Sequence, residues 1–186
     1  MNWLCEPLVN VAMRPVRASA FPATVPAVPA LFSSSEGSIL MDEQHFPMVL
    51  QRWEGAATVE VVRDHFDYSM PLLERARREN VAISVVLDAT NGARPTSVVR
   101  KVIAERADAL AAQWPELLRP TRVVIQSAPL RGVITALGWL SRGALQLASY
   151  PSRVSAIRAG IAHLEAVGSP VPEALDPNTY EFPAVD

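Results

Sequence analysis

The chain is poor in the residues that would settle a function quickly. One of its 186 residues is cysteine, Cys5, so no internal disulfide forms and a cysteine-built metal centre is excluded. Glycine is scarce, at eight residues, and none of the eight builds a glycine-rich loop between a strand and a helix to cradle phosphates. Neither a P-loop lysine pattern nor a G-x-S-x-G nucleophile elbow is present. The three histidines, His45, His65 and His163, stand far apart in the chain with nothing that pairs them as ligands, so no metal and no cofactor are expected. Lys101 is the only lysine. With abundant Ala, Val and Pro beside it, the Arg bias reads as GC-rich coding rather than a built arginine surface. Charge of one sign is lacking too: the net charge of −2 argues against a nucleic-acid binder held by phosphate contacts. No apolar run approaches the ~20 residues of a membrane-spanning helix.

What is present is a 49% hydrophobic fraction, ample for one folded core. Composition divides the chain into three. Residues 1–45 carry Pro7, Pro15, Pro22, Pro26 and Pro29, a density that blocks helix and strand and favours extended chain; a disordered N-terminal segment is expected. Pro15 and Pro22 spoil a secretory signal, and Arg14, Arg17 and Ser33–Ser35 give only a faint transit-peptide pattern. Met41 is an alternative natural start. Residues 46–168 show regular periodicity, and residues 169–186 return to Pro-rich acidic chain, expected as a tail on the surface. A cytoplasmic location fits the cysteine usage.

Within 46–168, residues 48–53 alternate, with Met48, Leu50 and Arg52 on one face and Val49, Gln51 and Trp53 on the other, an outer strand ended by Gly55. Thr58 caps a helix to about Asn80 whose stripe is Val62, Phe66, Met70, Leu73 and Ala76, with Pro71 expected to kink or restart it. Residues 81–87 are almost continuously apolar, as a central parallel strand requires. Thr96 caps a second helix carrying Val99, Val102, Ile103, Leu110 and Trp114 inward. A strand over 122–125 follows, then a third helix from Pro129 through Leu140, a strand over 144–150, and a helix opened by Ser152 and closed by Gly168. The fold class expected is α/β: a single small β-α-β-α-β-α-β-α domain with a mainly parallel four- or five-stranded sheet covered by helices.

Chemistry is sparse on this frame. Asp64-His65-x-Asp67 reads as an exposed polar patch, because adjacent helical positions point in different directions. Parallel sheets gather ligands and partners beyond the carboxyl ends of their strands, which singles out Asp88, Thr90 and Asn91 after the second strand. Thr96 and Ser97 follow at a helix start, where free N–H groups favour an anion or a phosphorylated hydroxyl. Turn and capping chemistry accounts for the same residues without a ligand. Ser127 and Arg131, after the third strand, are a second candidate, Arg131 for an acidic partner group.

The span from about 46 to 167 resembles the SpoIIAA-like branch of the STAS (anti-sigma factor antagonist) superfamily. The resemblance rests on Trp53-Glu54-Gly55 with Thr58, Val85-Val86-Leu87-Asp88-Ala89, Val123-Val124-Ile125, Thr135 through Leu140, and Tyr150 leading into a helix ending His163-Leu164. It implies a noncatalytic regulatory or scaffold role with a protein partner, in bacterial signalling. It also implies control by phosphorylation where a D-x-[ST] loop meets the next helix. Asp88-Ala89-Thr90 matches that loop, but the Asp-Ser-Ser-Gly-Leu of the phosphorylation site is here Arg94-Pro95-Thr96-Ser97-Val98. The alternative is a module binding a small apolar or anionic ligand, to be marked by an apolar cavity with converging polar groups; an enzyme of unrecognised type ranks last.

Overall fold

The computed structural model describes residues 28–115, 120–127, 131–132, 136 and 146–185. Six strands lie in one sheet in chain order: β1 (Ala30–Ser33), β2 (Gly37–Asp42), β3 (Met48–Gly55), β4 (Ser84–Asp88), β5 (Thr121–Val124) and β6 (Leu147–Tyr150). The pairs β1–β2 and β2–β3 are antiparallel, while β3 to β6 run parallel. The α/β class and the mainly parallel sheet are as expected. The strand count is not: two strands precede residue 46.

That corrects the reading of residues 1–45 as disordered throughout, because the domain is already folded at Ala30. Prolines thin out after Pro29, and Ile39, Leu40 and Met41 point alternately to the two faces of the sheet and are buried on both. A strand covered on both sides loses the polar–apolar alternation by which strands are recognised. The same hairpin makes β3 an inner strand rather than an outer one, its first four residues all buried. Met41 lies inside β2, paired with Gln51.

Three helices are described in full: α1 (Val59–Glu79), α2 (Ser97–Gln113) and α3 (Arg153–Ala166). Each starts where a hydroxyl caps it. The Oγ1 of Thr58 accepts from the N–H of Val61, that of Thr96 from Val99, and the Oγ of Ser152 from Ser155. Pro71 neither ends nor restarts α1, which continues to Glu79 and stops at Asn80 in the left-handed region. Gly168, with φ of +69°, turns the chain out of α3. Arg131, Gly132 and Ala136 are helical. The rest of the expected third helix, with Pro129, Leu137 and Leu140, lies outside the described residues, as do residues 144–145.

Both faces of the sheet are covered. On one, α1 and α2 bury Val49, Met41, Ile39, Ile83, Leu73 and Trp114. On the other, α3 lies over β4 to β6, and Leu40, Met48, Leu50 and Val86 are covered by Ile157, Leu164 and the chain after the helix. The alternation expected for residues 48–53 holds, Met48 and Leu50 facing α3 and Val49 facing α1. Residues 169–185 are not a tail on the surface. Leu175, Tyr180 and Phe182 are buried in the α3-side core, because α3 is too narrow to reach β2 and β3, and those strands need an apolar cover.

Candidate functional site

At the carboxyl ends of β3 and β4 the chain is pinned by backbone bonds. The N–H of Gly55 donates to Asn91 O at 3.1 Å, that of Ala93 to Gly55 O at 2.7 Å, and that of Ala89 to Val124 O at 3.1 Å. Gly55 has φ of +64° and sits opposite Gly37, and a Cβ on either would run into backbone of the other's strand end. The β1–β2 hairpin, the end of β3 and the 89–93 turn are thereby locked together.

Within that frame Asp88 is committed locally. Its Oδ1 accepts from Thr90 N–H at 3.0 Å and from Thr90 Oγ1 at 2.6 Å, an Asx turn that shapes the loop. Its Oδ2 faces Arg153 Nη1 at 3.8 Å. Thr90 and Asn91 are exposed, and Asn91 works through its backbone carbonyl. The Thr96 hydroxyl is used as the α2 cap, and Ser97 is exposed at the first helical position. Ser127 is half-buried, and its carbonyl accepts from the Arg131 N–H at 3.2 Å. Exposed Arg131 turns its Nη1 back to Gln126 O at 3.3 Å. Both loops leave the same end of the sheet from neighbouring strands, β4 and β5. The structure thus brings Asp88, Thr90 and Asn91 to one turn, joined to α2 through Thr96 and Ser97, while Ser127 and Arg131, after the neighbouring strand, are joined to each other by a backbone bond.

Sequence reasoning missed the residues on the α3 side that run from this end, at Arg153 and Arg52, toward the start of β3, where Asp42 pairs with Leu50. Arg153, at the first position of α3, meets Asp88 on one side and Glu181 on the other, with Nη2 3.1 Å from Glu181 Oε2. Its guanidinium lies 5.5 Å from the Phe182 ring centroid, and that of Arg52 lies 5.3 Å from the same ring. Arg52 also pairs with Glu54 at 3.3 Å. Tyr180 donates its hydroxyl to Oδ2 of the buried Asp42 at 2.8 Å, and His45 stacks edgewise on its ring. Burial and the Asp42 carboxylate push the Tyr180 phenol well above its ordinary range. One signal was readable beforehand: the large apolar residues Leu175, Tyr180 and Phe182, with Val171 and Val185, recur through a Pro-rich acidic stretch.

Elsewhere the titratable groups are structural. His65 is buried on α1, which corrects the reading of Asp64-His65-x-Asp67 as an exposed patch; only Asp64 and Asp67 are exposed, Asp67 pairing with Arg106 at 2.8 Å. Burial lowers the His65 pKa to about 4. Arg122, buried on β5, donates to Ser84 Oγ at 3.1 Å and Pro120 O at 3.2 Å, and burial lowers its pKa against the opposing influence of Tyr150. At the opposite end of the sheet, an open groove of about 330 Å³ is lined by Glu43, Tyr68, Leu72, Arg75 and Arg78. There Tyr68 donates to Glu43 at 2.6 Å, and its phenol is pushed up to about 12 by burial and that carboxylate. Among the described residues no group of three or more His, Cys, Asp or Glu is placed to hold a metal ion, and no helix is long and apolar enough to cross a membrane.

No protein-family model matches the chain, and no curated protein matches it. Among solved structures, the chain is similar to an uncharacterized protein of the DUF3478 family with a SpoIIAA-like fold, from Shewanella loihica. The two are 13% identical over 71% of this chain and 91% of that one, with a TM-score of 0.42.

Proposed function

We propose that this domain is a noncatalytic regulatory or scaffold module that docks a protein partner on the surface formed by residues 88–98. The observation that carries this is Val98. It is 61% exposed in the first turn of α2, beside exposed Ser97 and the exposed residues of the 90–94 loop. Val98 follows a turn pinned by backbone bonds to β3 and β5, so its apolar side chain and the exposed polar groups of the turn are presented together on a fixed frame. The groups an enzyme would employ here are already engaged, Asp88 in its turn and Thr96 in its cap. The resemblance to STAS antagonists supports the same end of the sheet, as does the general rule for parallel sheets.

The test is quantitative co-purification from the native host of the wild-type chain against Ser97→Glu and Val98→Glu. Both side chains are exposed, so folding is expected to be unchanged by circular dichroism. A protein captured by the wild type is expected to fall at least about tenfold with Val98→Glu, a penalty within the range for an interface anchor. Capture untouched by both charges overturns the assignment of this surface.

A further inference from the structure

Residues 170–185 are attached to the domain in an unusual way. Among the described residues, their backbone hydrogen bonds are all local: Leu175 to Pro172, Thr179 to Asp176 and Tyr180 to Asp176. None reaches the sheet. The segment is held by side chains alone. The Tyr180 hydroxyl is on Asp42, Glu181 is on Arg153, and Asn178 accepts from Arg158 at 2.7 Å. The guanidinium groups of Arg52 and Arg153 lie 5.3 and 5.5 Å from the centroid of the Phe182 ring. Beneath lies an apolar floor of Leu40, Met48 and Leu50. A segment without ladder bonds opens by releasing a few side chains, whereas a strand must surrender its whole hydrogen-bond row.

The chemistry below the segment is specific. Two cations lie against one aromatic ring, a buried carboxylate accepts from a hydroxyl, and one of the cations, Arg153, is shared with Asp88 of the proposed docking turn. We propose that Tyr180-Glu181-Phe182 is a displaceable strap. The face it covers receives an extended segment of a protein partner carrying the same aromatic–acidic–aromatic chemistry. This rests on the carboxyl end of the sheet being the docking end. It adds the class of segment recognised and the contact that occludes it. The strap argues for its own replacement: its Glu181 answers the positive potential of Arg153 and Arg52, and its rings answer their cation–π faces. Tethered through Gly168 and the prolines that follow, it faces its site at the roughly millimolar effective concentration of a short linker, so a free segment binds only when the strap is weakened or outcompeted.

A fluorescently labelled synthetic peptide with the sequence of residues 174–185 is titrated against the full-length chain and followed by anisotropy. The wild type is expected to bind it weakly. Glu181→Arg, a change at an exposed side chain, sets a cation against Arg153 and is expected to tighten peptide binding at least about tenfold by freeing the site. Adding Arg153→Ala to that chain is expected to reverse the gain, and a scrambled peptide is expected to bind none of them. Tyr180→Ala with Phe182→Ala is the stronger version, read only if its circular dichroism matches the wild type. A folded Glu181→Arg chain that binds no better than wild type overturns the strap, as does peptide binding indifferent to Arg153. Those results leave the Val98 surface standing, which is judged by co-purification alone; loss of that surface with peptide binding intact separates the two in the other direction.

Discussion

His65 occupies a place where a histidine has nothing to bond with. It projects from α1 into a cage of rings, with Phe32 at 6.1 Å, Trp53 at 6.0 Å and Phe66 at 5.4 Å between centroids, all edgewise. Neither ring nitrogen has a hydrogen-bond partner, and the indole N–H of Trp53 is buried without one as well. A charged imidazolium in that cage would be desolvated with no compensating contact, so the folded state holds His65 neutral. The unfolded chain protonates it near 6.5 and the folded chain only near a pKa of about 4. Stability is therefore complete above pH 6.5, declines as pH falls through that value, and levels off below about 4. The full loss is about 3 kcal/mol, at ~1.4 kcal/mol per pKa unit. His65→Phe, which keeps the ring and removes the proton site, is expected to flatten most of this slope in urea melts run between pH 7 and 4. A smaller slope of the same sign remains from His45, whose pKa is also lowered by burial. A His65→Phe chain as acid-labile as the wild type contradicts the account. The sequence showed a histidine between two aspartates and invited a polar reading, because two of the three rings around it, Phe32 on β1 and Trp53 on β3, come from 33 and 12 residues earlier in the chain.

At the scale of elements, caps and stops were legible wherever they depend on local chemistry. Thr58, Thr96 and Ser152 start helices and Gly168 ends one, because each acts within a few residues of itself. The Asp88–Thr90 turn was legible for the same reason. The β1–β2 hairpin was not, since prolines crowd the chain before it and β2, buried on both faces, lacks a polar–apolar alternation. Its tight end depends on Gly37 and Gly55 meeting, a pairing 18 residues apart. The hairpin sets what a folded chain needs ahead of residue 41. A chain beginning at Met41 loses all of β1 and most of β2, leaving β3 as an edge and removing Ile39, Leu40 and Phe32 from three cores. Burying each large aliphatic side chain is worth about 1.5–3 kcal/mol, against a total domain stability of about 5–15 kcal/mol. Expressed from Met41, the protein is expected to lack a cooperative thermal transition, while a chain beginning at residue 28 keeps one. A sharp transition at wild-type temperature in the Met41 chain would show that the hairpin is dispensable.

At the scale of the whole molecule the two faces of the sheet are covered by unlike means. One is closed by α1 and α2, which pack on each other and on the hairpin, the other by α3 and an irregular strap. The first cover and α3 are read from helical periodicity. The rest of the second comes from a Pro-rich acidic stretch whose apolar residues, Val171, Leu175, Tyr180, Phe182 and Val185, have no period, because an extended chain laid across strands follows the spacing of the sites beneath it and not its own. This difference has a measurable consequence. Helical and ladder amides exchange through cooperative opening of their elements, whereas strap amides are released once Tyr180, Glu181 and Phe182 let go. In native-state hydrogen exchange, residues 174–185 are expected to open with a lower free energy than β3 and β4, and with a weaker denaturant dependence, since less surface is exposed. Tyr180→Phe removes the donor to Asp42 Oδ2 and is expected to lower the strap's opening free energy by about 1–3 kcal/mol, the cost of a buried acceptor left unpaired. Because β3 and β4 open with the global transition, their protection is expected to fall only as far as global stability falls. Strap amides that exchange together with β3 and β4 in both chains would make the segment an integral part of one cooperative fold.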